Sequence, residues 1–127
     1  MYPTAPDHPV KGSEILKEKG YPEDVRRAIL GHATYANVPR DTKMAQVLYA
    51  CDELCGFISA CSVVRPNKIA DLEVSSVKKK LKDKGFARNV SREDIRQGIQ
   101  ELGIPLEEHV QFVIDAMRSD ATRLGLA

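Results

Sequence analysis

The sequence predicts an all-α fold on three observations. Apolar residues recur at helical spacing along most of the chain, and helix-start and helix-stop residues punctuate them. No segment alternates with period two over a useful length.

Asp7-His8-Pro9 reads as a helix start, with Pro9 at the first helical position and Gly20 as the stop after Lys19. Tyr21-Pro22-Glu23-Asp24 repeats the device. Acids fill the first turn there, Val25 and Ile29 form the inward stripe, and the helix ends near Gly31-His32. A loop through Asn37, Val38 and Pro39 leads to a long helix from about Asp41 to Val64, stopped by Pro66. Residues 65–90 are the least regular stretch: Ser75 to Leu81 forms a short helix, and Gly85 breaks the chain before Phe86. Ser91-Arg92-Glu93-Asp94 has the form of a capping box, followed by Ile95, Ile99 and Leu102 on one face before Gly103. Pro105 opens the last helix, whose stripe is Leu106, Val110, Val113, Ile114 and Met117. Residues 1–118 are expected to form one domain, and residues 119–127 a frayed tail.

At 127 residues the chain is long enough to bury an ordinary core. With 43% hydrophobic residues, 29% charged residues and a net charge of +1, it lacks the charge for bulk attraction to nucleic acid or anionic membrane. Asp52 and Glu53 interrupt the longest apolar stretch, which argues against a membrane span. Met1-Tyr2-Pro3-Thr4 has neither a basic region nor an apolar core, so no signal peptide is read and a cytoplasmic location is expected. Cys51, Cys55 and Cys61 fall in one helix in odd number, at no established ligand spacing, and read as reduced, buried thiols.

Asp52 is the chemically conspicuous residue. It lies inside the apolar run from Met44 to Cys61, where a buried carboxylate must be paired, protonated or bound to a cation. His8 and His32 lie upstream, each at a helix edge. Two imidazoles and a carboxylate suit zinc, iron or manganese. The bland readings are a satisfied buried Asp52, a capping His8 and a His32 that complements a helix C-terminus. Glu53 is read as a surface residue or as support behind the site, and His109, flanked by Glu107 and Glu108, as a surface residue.

The strings His8-Pro9-Val10-Lys11-Gly12-Ser13-Glu14-Ile15-Leu16, Ala28-Ile29-Leu30-Gly31-His32 and Ala50-Cys51-Asp52-Glu53-Leu54 resemble the HD-domain superfamily of metal-dependent phosphohydrolases. The likeness is nearer to a bacterial subgroup of small HD proteins. It continues through Val64-Arg65-Pro66-Asn67-Lys68, Ser76-Val77-Lys78-Lys79-Lys80, Lys82-Asp83-Lys84-Gly85-Phe86-Ala87-Arg88 and Val90-Ser91-Arg92-Glu93, covering about Tyr2 to Arg118. The resemblance implies an HD-like helical bundle, with Asp52 matching the late metal-ligating aspartate. His8 and His32 match histidines that hold a second metal or substrate phosphate, and Lys11, Arg65 and Lys68 are candidate phosphate contacts. No His-Asp dipeptide occurs in the sequence. Against the family pattern the chain reads as truncated at the N-terminus, starting after the principal metal-binding dyad.

The expectation is therefore a truncated HD-family protein with impaired or lost hydrolysis of phosphate esters or nucleotides, holding a divalent transition metal (Zn, Fe or Mn) or none. Two alternatives stay open: a working enzyme completed by a second chain, and a non-catalytic nucleotide- or anion-binding or interaction module. Loss of the dyad-bearing helices is expected to expose Leu48, Cys51, Cys55, Phe57 and Ile58, a face that a homodimer would cover. The basic run from Lys78 to Arg88 reads as a solvated face, and with Phe86 its only ring it argues against nucleic-acid binding.

Overall fold

A computed structural model describes residues 7–127; Tyr2 to Thr4, where the family resemblance begins, lie outside the described residues. The helices are α1 (Asp7–Glu18), α2 (Glu23–Gly31), α3 (Lys43–Val63), α4 (Val74–Leu81), α5 (Arg92–Leu102), α6 (Leu106–Ser119) and α7 (Ala121–Leu124), with a 3-10 turn at Thr34–Ala36. No strand occurs among the described residues, so the all-α class stands. The chain divides into two compact units, residues 1–50 and 51–127, where the sequence is read as one domain with a tail.

In the first unit α1 packs on α2. Gly20 makes the turn between them at φ +85°, a conformation that costs a residue with a Cβ. Pro22 caps α2 in an extended conformation, so the helix begins one residue after it. Arg40 fastens the following loop: its Nη1 donates to the Gly31 carbonyl at 2.7 Å, and its guanidinium lies 3.9 Å from the centre of the Tyr49 ring. A Cβ on Gly31 would stand 3.1 Å from the Arg40 side chain, so the bare glycine makes room for that strap.

The second unit is built around Leu54, Phe57, Ile58 and Cys61 of α3. They recur at helical spacing and meet Val77 of α4, Ile95 and Ile99 of α5, and Val110, Val113, Ile114 and Met117 of α6. Phe57 and Ile58, expected on an exposed face, are fully buried; Leu48, Cys51 and Cys55 are half-buried. The apolar face from which a homodimer was inferred is therefore largely interior. Beyond Ser119 the chain forms α7 and returns Leu126 to the core, where its carbonyl accepts from the Ile69 amide at 3.2 Å, in place of a frayed end. His109, expected at the surface, is 2% exposed. It precedes Val113 by one helical turn and so shares the inward face of α6.

The α5 start is a true cap. Ser91 Oγ accepts from the Asp94 amide at 3.1 Å, while the Ser91 amide donates to Glu53 Oε2 at 3.2 Å. Glu53 is thus a structural brace between α3 and α5. No helix among the described residues is long and apolar enough to cross a membrane.

Candidate functional site

His8 stands exposed in the first turn of α1, and His32 is half-buried at the C-cap of α2. The packing of these helices brings the two rings edge to face, with centroids 5.5 Å apart and planes at 89°. His32 Nδ1 donates to the carbonyl of Ile29. A carbonyl can only accept, so Nδ1 carries a hydrogen, and in the neutral ring the lone pair is at Nε2. Metal-ligating histidines are commonly oriented by such a bond. A helix C-cap makes the same local contact, so the bond by itself assigns no role.

Asp52 departs from the expectation. It belongs to the second unit and is exposed. Within the second unit the buried stripe of α3 runs through Leu54, Phe57, Ile58 and Cys61, leaving Asp52 on a different face that also carries exposed Gly56 and Val63 at helical spacing. Water solvates the carboxylate there, and no buried partner or cation is required. Among the described residues no three His, Cys, Asp or Glu side chains converge to hold a metal ion. The imidazole pair supplies two donors, one fewer than a catalytic zinc site uses from its protein.

The three candidate phosphate contacts do not form one set. Lys11, in the first unit, lies 4.0 Å from Glu14 in an exposed pair of little energetic weight. Arg65 is bound within its own loop, with Nη2 3.2 Å from Asp71 Oδ1. The Asn67 amide, 3.2 Å from Asp71 Oδ2, and then Arg65 hold the Asp71 carboxyl below its ordinary range. Lys68 takes a left-handed backbone, φ +50°, and its Nζ lies 3.5 Å from the Gly125 carbonyl.

The thiols are chemically quiet. Burial pushes Cys61 up to about 11, outweighing the opposing influence of Lys80, Arg65 and Arg92. Cys55 is raised to about 11 by burial, then by Cys51 and Asp52. Protonated thiols are weak nucleophiles and poor metal ligands at neutral pH.

Sequence reading missed the role of Arg92. Its guanidinium donates to the carbonyls of Asp83 at 3.0 Å, Phe86 at 2.5 Å and Ala87 at 2.8 Å, with those of Lys80, Leu81 and Val90 at 3.4–3.5 Å. The loop between α4 and α5 is wrapped around one side chain. Around it the lysines of α4 and the arginines of α5 border two open hollows. The Lys78–Arg88 run was the visible signal; the contribution of Arg92 and Arg96 depends on how α5 folds back. No family profile, curated protein or solved structure matches this chain.

Proposed function

We propose that this chain is a helical protein of the metal-dependent phosphohydrolase lineage whose own residues retain a two-imidazole remnant of a metal site, with hydrolysis of phosphate esters or nucleotides impaired or lost. The observation that carries this reading is the His8–His32 pair. Twenty-four positions apart in the sequence, the rings meet at 5.5 Å, and His32 presents a lone pair at Nε2 in its neutral form. The family resemblance supplies the lineage. The want of a third converging ligand among the described residues supports the loss of chemistry, because water activation needs an ion held firmly with an open position. These residues can offer a lone pair to a cation or a hydrogen bond to a phosphate ester, and no hydrolytic step is derived from them.

A zinc titration followed by calorimetry tests the remnant. The expected result is one weak site per chain, lost in His8→Ala and in His32→Ala, with little change in thermal stability at equimolar zinc. Tight stoichiometric binding that survives both substitutions would place the ligands elsewhere and refute the assignment.

A further inference from the structure

We propose that α4, the loop after it and the first turns of α5 form a binding site for a compact polyphosphate. The site uses none of His8, His32 or Asp52 and stands whether or not the hydrolase reading does.

A loop that turned its carbonyls outward would repel an anion. Here the carbonyls of Asp83, Phe86 and Ala87 are turned onto the Arg92 guanidinium, so three backbone acceptors of the loop are engaged internally. On α4, Val77 is buried and Val74 and Leu81 pack against the core, which leaves the lysines to the outer side of the helix.

Two hollows flank Lys82. One, of about 470 Å³, is bordered by Arg65, Ser76, Lys79, Lys80 and Lys82 together with Asp83. The other, of about 690 Å³, is bordered by Lys82, Lys84, Arg88, Arg92 and Arg96 with Leu81 and Val90. Carboxylates occupy two of these cations, with Glu93 holding Arg96 at 2.9 Å and Asp71 tied to Arg65, and Glu107 holds the neighbouring Lys78 at 2.7 Å. Lys79, Lys82, Lys84 and Arg88 have no carboxylate partner among the described residues. The one acid on the loop, Asp83, accepts the Gly85 amide at 3.1 Å.

Lysines in the last turn of a helix complement its dipole, which accounts for Lys78, Lys79 and Lys80. It does not account for Lys84 and Arg88 beyond the helix, nor for Arg96 on α5. Converging cations around small hollows suit several phosphoryl oxygens at once, lysines as point charges and arginine as a fork. The hollows match a small ligand rather than an extended strand. Phe86, the only ring on the loop, stands edge-on to Phe57 at 5.7 Å and lies under Lys80 at 4.6 Å, so it offers no platform for base stacking.

Calorimetry at near-physiological ionic strength, with inorganic tripolyphosphate, ATP, AMP and a thymidine oligonucleotide as probes, tests this. Tripolyphosphate and ATP are expected to bind comparably, and AMP about tenfold or more weakly, because fewer phosphoryl oxygens meet the cations. The double variant Lys82→Gln/Arg88→Gln should weaken tripolyphosphate by about tenfold or more while keeping the parent's unfolding midpoint, since both side chains are exposed. The control Lys17→Gln/Lys19→Gln, two exposed lysines of the first unit, should bind as the parent does. Failure of tripolyphosphate to bind, undiminished binding by the Lys82/Arg88 double variant, ATP binding without tripolyphosphate binding, or tighter binding of the oligonucleotide would each overturn the proposal.

Discussion

Phe57→Ala should lower the free energy of unfolding by about 4 kcal/mol, near the top of the range for core truncations. The ring is fully buried in the second unit. Its edge meets Phe86, with centroids 5.7 Å apart at 90°, and the Arg92 guanidinium lies 5.0 Å from its centre. Truncation thus removes apolar burial, an aromatic pair and a cation–π contact, and leaves a cavity among Leu54, Ile58 and Ile95 that close-packed neighbours cannot fill. Phe57→Leu keeps much of the volume and should cost markedly less. Phe112, 65% exposed on α6, is the contrast: its replacement by alanine should change stability by no more than about 0.5 kcal/mol. Urea denaturation of the three variants checks the order, and a Phe57→Ala protein that unfolds at the parent midpoint would contradict the packing described.

Arg92→Ala should be the second severe lesion, at about 3 kcal/mol. Hydrogen bonds from a charged donor are individually strong, and here three well-formed ones converge on consecutive turns of a single loop. Ala87 adopts φ +49° in that loop, a left-handed conformation that costs a residue with a Cβ roughly 1–2 kcal/mol. The bond from Arg92 to its carbonyl helps to hold it there. Arg92→Lys keeps the charge but loses the planar fork, so it should recover less than half of the lost stability. Phe57 and Arg92 touch, and their double variant should be less destabilised than the sum of the singles. Full recovery by lysine would show that charge alone, and not the geometry of the fork, holds the loop.

The parts of this structure legible in the sequence are those written in local chemistry. Gly20, Gly103 and Pro105 mark helix ends because each acts on its own backbone, whereas Pro9, expected at the first helical position, stands third in α1. Ser91 caps α5 for the same reason, with its bond to the Asp94 amide spanning three residues. The apolar stripe of α6 is legible because Val110, Val113, Ile114 and Met117 repeat at the helical period. Three features were misread where the deciding partner is distant or the pattern is ambiguous. The α3 run of Ala, Cys, Gly and Ser gives no clear polar face, so Asp52 looks interior although the inward stripe passes it by. His109 looks solvated between two glutamates, yet the α6 face it shares with Val113 is covered. Leu126 follows Gly125 as a single apolar residue with no period, and only its bond to Ile69 shows that the end is tied down. Within the candidate site, the nearness of His8 and His32 follows from the short turn between α1 and α2, whereas the clamp of Arg92 on a loop that precedes it carries no sequence signature.

Phosphate release is the most direct test of impaired hydrolysis. The purified 127-residue chain is incubated with manganese, zinc or ferrous iron and a panel of nucleotides and aryl phosphates, beside His8→Ala and His32→Ala. The expected result is no release above the metal-only blank for any of the three proteins. Metal-dependent turnover by the parent chain, abolished by either substitution, would contradict it.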